Sequence, residues 1–325
     1  MTNLLARYAE ALFWMARYVE RAENLARVLD VQETFARDSR GSHDWRAILQ
    51  LYVDEERFLE RYAEPTPHNV IYFYTMDPEN PGSIFSSITY AKDNARALRP
   101  LISTEMWVQL NTFHQRVAAL TRGELAEERL ARVCAMIKDG CETHTGVTAG
   151  TFYRDEGWHF YRLGASIECA DQTTRFLDVK YHNLLSKSGE AIDVSQWNAV
   201  LRSVAGYHAF RRVHPRDMRP DQVASFLLSD RRFPRSVVNN VVAIDEHLNR
   251  LRAQYGLKRA FRLLEMVDGL KDDLEPRKVQ TVLAGHGLHG FNDFMQQSLS
   301  EISQGIGQAF FGYAAAEQTQ TQSQS

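Results

Sequence analysis

Little in this chain points to redox or metal chemistry. Its three cysteines, Cys134, Cys141 and Cys169, form no C-x-x-C pair, and an odd number does not make a disulfide framework. Cys134, Cys141 and His144 fall on one face of a helix, but the thiols then stand ~10 Å apart along it, too far to ligate one metal. Small buried hydrophobes are expected instead. No apolar run approaches the ~18 residues that cross a bilayer. The opening MTNLLARYAEALF is amphipathic with an early acid, unlike a signal peptide, so a cytoplasmic protein is expected. The net charge of -3 gives no global reason to bind nucleic acid or an anionic membrane.

Nucleotide and nucleophile signatures are missing as well. Gly285-His286-Gly287-Leu288-His289-Gly290 is glycine-rich but has no Lys-Ser/Thr and no preceding strand, so it reads as a helix connection and not a phosphate loop. There is no Gly-x-Ser-x-Gly elbow. A ferritin-like dimetal site wants Glu-x-x-His on two facing helices. Only Glu156-x-x-His159 was found with that spacing, and it holds Gly157 and sits at a helix entry. No metal ligand set is assigned.

What is present is a repeated block. LFWMARYVERAENLARVLDV, from Leu12 to Val31, has a second edition in FYRLGASIECADQTTRFLDV, from Phe160 to Val179. Setting Glu20 on Glu168 also aligns Ala22 with Ala170, Glu23 with Asp171, Asn24 with Gln172, Arg27 with Arg175 and Asp30 with Asp178. Leu12, Met15, Val19, Ala22, Ala26 and Leu29 recur three or four apart, which predicts a helix with one apolar face. Glu20, Glu23, Arg27 and Asp30 then form a charged row on it, repeated by Glu168, Asp171, Arg175 and Asp178. An isolated row of this kind is a solvated face laced by ion pairs worth ~0.2–0.5 kcal/mol each. The same order at the same spacing in two helices makes the eight residues candidates for substrate binding.

The remainder of the chain repeats too. Trp45-x-x-Ile48-Leu49 is echoed by Trp197-x-x-Val200-Leu201, and Pro67-x-x-Val70 by Pro220-x-x-Val223. Phe73, Asp77 and Pro81-x-Ser83-Ile84 are echoed by Phe226, Asp230 and Pro234-x-Ser236-Val237. A tandem duplication of a half-chain helical unit follows, too long in period for a solenoid. Residues 1–147 form the first half and 148–313 the second; 314–325, polar with nothing to bury, form an expected disordered tail. Asn69–Tyr74 has strand composition, but its echo Gln222–Leu227 suits a helix, so both are read as helices. The thiol- and threonine-bearing helix near 124–143 is expected to end before a Thr/Gly-rich connector at Gly146–Gly150. The fold expected is all-α, two related multi-helix halves packed with pseudo-two-fold symmetry.

WMARYVERAENLARVLDV, the Asn80-Pro81-x-Ser83-Ile84 turn, Ala91-Lys92-Asp93-Asn94-Ala95-Arg96, Phe233-Pro234-Arg235-Ser236 and the LGxxxExADxTxRxLDV block together resemble the bacterial alpha-E domain family, from about Leu4 to the last helices. The resemblance implies an all-helical protein working beside, or fused to, circularly permuted ATP-grasp ligases and transglutaminase-like peptidases, and so implies peptide or amide-bond metabolism. ATP and Mg would then sit on the partner ligase, with no cofactor on this chain. One departure stands out. Family members read closer to L-G-R-x-x-E-R-A-D in the second block, where this chain has Ala165 and Cys169, so the second row lacks two cations.

Facing carboxylates repel unless cations lie between them. If the rows share a cleft, Arg27 and Arg175 serve internally, and a bound amine, peptide or metal completes the balance. A buried ion-pair lock between the halves fits the same residues. A separate feature lies between Arg211 and Arg235, where seven Arg stand against three Asp. Arg231, Arg232, Arg235 and Ser236 gather there at a helix start suited to an anion or an acidic partner. Three readings stay open: a substrate-binding partner of an amide ligase, an autonomous enzyme using paired carboxylates as acid and base, and an anion or nucleic-acid binder working through Arg211–Arg235.

Overall fold

Helix α1 (Ala6–Asp38) runs unbroken for 33 residues through the first charged block. Its length follows from the apolar spacing: Leu12, Met15, Val19, Ala22, Ala26 and Leu29 are each at most 3% exposed, and full burial of a Leu or Met side chain contributes about 1.5–3 kcal/mol. The computed structural model describes residues 4–38, 45–185, 194–216, 218–256, 260–285 and 287–314; at 35, 37, 38, 178–185, 194–196 and 260 it describes the backbone alone. Those residues are helical with no strand among them, so the chain is all-α.

In chain order α2 is Arg46–Tyr52, α3 Glu55–Leu59, α4 Pro67–Thr75, α5 Ile84–Ala97, α6 Thr104–Ala118 and α7 Glu127–Thr151. Then come α8 (Glu156–Leu185), α9 (Val194–Ser203), α10 (Tyr207–Val213), α11 (Pro220–Ser229) and α12 (Val237–Tyr255). Helices α13 (Ala260–Asp273), α14 (Pro276–Ala284) and α15 (Leu288–Ile306) close the series, and α15 runs into a π turn at Gly307–Phe311. Sharp starts come from side-chain caps. Thr66 accepts from the Asn69 amide ahead of Pro67, and Ser83, Ser103 and Ser236 accept from the amides of Ser86, Met106 and Asn239, each cap worth ~1 kcal/mol.

Helices α1 and α8 lie side by side and run the same way. The Leu4 amide donates to Glu156 at 3.2 Å, and further along both helices Arg17 and Arg21 reach Glu168. The close approach depends on Gly164, where an added Cβ would stand 2.1 Å from the Phe13 carbonyl oxygen. Around this pair, α1 packs against α5 and α7, with α6 on those two. Helix α8 packs against α12 and α15, with α13 on those.

Segment 69–74 is indeed helical within α4. The connector expected at Gly146–Gly150 is not a loop: α7 continues to Thr151. Ile137, Cys141, His144 and Thr148 are buried along one face, and that periodicity carries the helix through two glycines that cost ~1 kcal/mol each. All three cysteines are buried and free. The expected tail, from 315 onward, lies outside the described residues.

Candidate functional site

Each charged row contains a buried acid, and a buried carboxylate needs cations and hydrogen bonds in compensation. On α1, Glu23 accepts from Arg27 one turn on, at 3.0 Å to Nε and 2.7 Å to Nη2. Arg27 also donates to the Ser203 carbonyl at 2.6 Å and to Glu142 at 2.9 Å. The second cation comes from far along the chain. Arg235, in the turn between α11 and α12, donates to Glu23 at 2.9 Å, to Glu20 at 2.5 Å and to the Asn24 side chain at 2.9 Å. Burial pushes the Glu20 carboxyl up, and Arg235 works against that rise. Asp30 leaves this cluster and pairs with Lys138 of α7 at 2.7 Å.

On α8 the central acid is Glu168, 1% exposed. Arg21 grips it through Nε at 2.7 Å and Nη2 at 3.1 Å. Arg17 adds 2.8 Å through Nε, and Gln172 donates at 3.2 Å. Burial alone would raise this carboxyl, but Arg21 and Arg17 outweigh it and bring it down to about 2. Arg17 in turn donates to the Ser303 hydroxyl of α15 at 2.7 Å. Asp171 is held by Arg175 at 2.8 and 3.3 Å. The side chain of Asp178 lies outside the described residues.

Arg27 and Arg175 therefore do not bridge from one row to the other. Each bonds an acid on its own helix, Arg27 reaching also to Glu142 of α7; the cations that reach a row acid from another element are Arg17, Arg21, Lys138 and Arg235. Arg17 and Arg21 occupy the positions of the first block that align with Ala165 and Cys169 of the second, and that difference is the signal by which the sequence could have marked them. Arg235 turns inward onto α1, whereas Arg231 is exposed and exposed Arg232 pairs with Asp230 at 3.0 Å. Ser236 is the buried cap of α12.

Beside the α8 row lies a cavity of about 550 Å³. Arg17, Arg21, Glu168, Asp171 and Arg175 line one side of it. Tyr52, Asp54, Arg57 and Tyr74 share the lining, with Pro81 and Gly82 from the turn before α5. Phe13, Trp14, Phe311 and Tyr313 supply aromatic wall. Tyr52 donates to Gln172 at 3.2 Å; Asp54 accepts from Arg57 at 2.9 Å and Tyr74 at 3.3 Å. Burial raises Asp54, the nearby Arg57 opposing it. Gly312, at φ 83°, makes the left-handed turn that lays Tyr313 over the Gly307 backbone and against Glu10 and Trp14. Tyr52, Asp54, Arg57, Tyr74 and Gly82 carry no periodic signal, because short helices and a turn bring them in.

The other sequence features give no reacting group. Burial pushes the Cys169 thiol up to about 12 and raises the Cys134 and Cys141 thiols too, so all three are protonated at neutral pH. His159 meets His247, Nδ1 to Nδ1 at 3.0 Å, with no third ligand. Among the described residues no group of three or more His, Cys, Asp or Glu is placed to hold a metal ion, and no helix is long and apolar enough to cross a membrane.

Residues 4–311 match the family model named Alpha-E, described as a predicted alpha-helical domain with a conserved ER motif. An uncharacterized protein of Mycobacterium bovis and one of Mycobacterium tuberculosis are each 24% identical over 320 residues, covering 92% of this chain and 35% of their own length. The chain thus spans about a third of the length of the curated relatives it matches. No solved structure matches.

Proposed function

This chain belongs to the Alpha-E family, and on that premise we propose that it binds an amino acid or peptide for an amide-bond-forming system, as the partner or co-catalytic subunit of an ATP-grasp ligase. The observation that carries this reading is the cavity beside Glu168, where paired guanidiniums and carboxylates stand next to an aromatic wall. Charged groups to fix a backbone terminus and aromatic faces to cover a side chain are what a small zwitterionic ligand needs. About 550 Å³ lies within the ~300–1,000 Å³ usual for small-molecule sites. Of the four Glu-Arg dipeptides in the chain, at 20–21, 56–57, 60–61 and 128–129, the first opens the α1 row, and its Arg21 and the Arg57 of the second both line the cavity. We take Glu20-Arg21 as the family's ER motif.

Binding fits the site better than acid–base chemistry does. Glu168, held at about 2 by two arginines, is an anchor for charge at neutral pH and not a proton donor. The activating nucleotide and its metal belong, in this reading, to the ligase. Relatives almost three times as long as the matched segment support a domain that works beside others.

The test is to mix this chain with the ligase of the same system and measure amide formation. Ligase output should rise on mixing, and Arg175→Gln should remove the gain while leaving the melting temperature within about 2 °C, as its Asp171 pair is partly exposed and worth ~1 kcal/mol. Equal output with and without this chain would refute the partnership.

A further inference from the structure

At the cavity by Glu168 every carboxylate oxygen of the lining is engaged by a donor, while three guanidinium nitrogens are engaged by no acceptor among the described residues. Both Glu168 oxygens accept, from Arg17, Arg21 and Gln172. Both Asp171 oxygens accept from Arg175, and both Asp54 oxygens are taken by Arg57 and Tyr74. By contrast Arg17 Nη2, Arg21 Nη1 and Arg175 Nη1 make no hydrogen bond among the described residues, and all three arginines line the cavity. Four arginines there face three carboxylates, which leaves one positive charge over. Gly82, in the lining, stands two residues before the first turn of α5, whose N-terminal dipole adds a preference for negative charge.

The turn before α12 shows what would close such a space. Pro234-Arg235-Ser236 and Pro81-Gly82-Ser83 each end on a serine that caps the following helix. The second turn bonds the charged row of α1, and the first shares the lining of the cavity with the charged row of α8. Arg235 drives its guanidinium onto Glu20, Glu23 and Asn24. At the corresponding place in the first turn stands a glycine, beside the open cavity. This glycine is not required by backbone geometry, since its φ is not positive and an added Cβ would meet only the Asn80 side-chain oxygen, at 3.3 Å.

We propose that this cavity takes a ligand of net negative charge, an acidic amino acid or an acidic peptide terminus whose carboxylate lies across the unspent arginine donors, and that Gly82 keeps the site open. The proposal rests on the peptide-binding reading and narrows its substrate class. A carboxylate supplies the acceptors that the site lacks, in the bidentate geometry that guanidinium favours, while Trp14, Tyr52 and Tyr74 cover its hydrocarbon part.

The experiment is titration calorimetry on the full chain with four probes: α-L-glutamyl-L-glutamate, L-glutaminyl-L-glutamine, L-lysyl-L-lysine and inorganic phosphate. The acidic dipeptide should bind at least about tenfold more tightly than the neutral one, and weaken as salt rises. Lysyl-lysine should give no heat. Gly82→Arg should abolish binding at an unchanged melting temperature, as should Ser300→Trp, which obstructs the rim from an exposed position on α15. Neutral or basic dipeptide binding as well as the acidic one, with Gly82→Arg still blocking it, overturns the charge assignment and leaves the peptide site standing. Phosphate binding as tightly as the acidic dipeptide overturns the peptide part of the assignment. Acidic dipeptide binding undiminished in both folded variants overturns the location, and no binding by any probe overturns both this inference and the reading beneath it.

Discussion

Replacing Glu168 by glutamine removes the charge that two arginines surround, and the size of the effect follows from the site. The carboxyl drops from its ordinary 4.5 to about 2. At ~1.36 kcal/mol per tenfold change in proton affinity, the ionised form is favoured by about 3 kcal/mol in the folded state. Removing one partner of a buried ion pair independently suggests ~3–5 kcal/mol. With a melting entropy of ~2.1 cal/mol/K per residue over roughly 300 ordered residues, a loss of about 3 kcal/mol lowers Tm by about 5 °C. The sign with pH is fixed by the direction of the shift. A carboxyl lowered in the folded state contributes fully above about 4.5, and the contribution disappears as pH falls toward 2. Melting wild type and Glu168→Gln in parallel by circular dichroism should therefore show a gap of about 5 °C at pH 7 that narrows steadily below pH 4.5. Taking the difference cancels the other carboxylates that titrate in the same range. A gap under about 1 °C at pH 7, or one that persists undiminished at pH 2.5, would refute the argument that Arg17 and Arg21 stabilise the fold through this charge.

Two further predictions concern positions away from the cavity. Gly164→Ala should destabilise by about 2–3 kcal/mol, because the new methyl meets a backbone carbonyl of α1 that cannot rotate away. In the same urea series Gly146→Ala, in α7 with nothing within 4 Å, should stabilise by about 0.5–1 kcal/mol; a neutral Gly164→Ala would mean that α1 and α8 do not approach as described. His144, buried between Gln109 and Thr148, is lowered by burial to about 4, so the unfolded chain takes up its proton first, near 6.5. Its contribution is complete above 6.5 and is lost as pH falls to about 4, amounting to about 3 kcal/mol. Urea unfolding of wild type should therefore lose that much more stability than His144→Gln between pH 7 and pH 4, and equal losses would contradict it.

The helices were legible because their cause is local. Leu12 to Leu29 carry the 3.6-residue period in the sequence itself, and Thr66-Pro67, Ser83 and Ser236 announce their own helix starts. The extension of α7 through Gly146 and Gly150 was not legible from composition, since two glycines read as a break. Only the spacing of Ile137, Cys141, His144 and Thr148 shows that the helix pays for them. The acids Glu20, Glu23, Glu168 and Asp171 were found by repetition, but which cation serves each acid is a matter of contacts across about 150 or 210 residues of chain, as in Arg17 with Glu168 and Arg235 with Glu20. Nothing in a periodic pattern reports such a distance. The same holds for Tyr52, Asp54 and Arg57, which reach the cavity from two short helices and the turn between them.

The second block has Ala165 and Cys169 where the first has Arg17 and Arg21, and this difference explains why the two rows are compensated differently. Glu20, its side chain 15% exposed against 1% for Glu168, also needs a cation, yet the positions of α8 that align with Arg17 and Arg21 are Ala165 and Cys169. The guanidinium has to come from elsewhere, and Arg235 is long enough to bring it from the turn before α12, at the expense of filling the space over the α1 row. Glu168 already has Arg17 and Arg21 from the neighbouring helix, so the turn before α5 has no charge to deliver and can hold a glycine. The cavity is then a consequence of where the compensating cations are rooted: supplied from the side, they leave the space above the acid open, and supplied from the turn, they close it. A charged row serves as a lock in the second arrangement, and the binding function we propose uses the first.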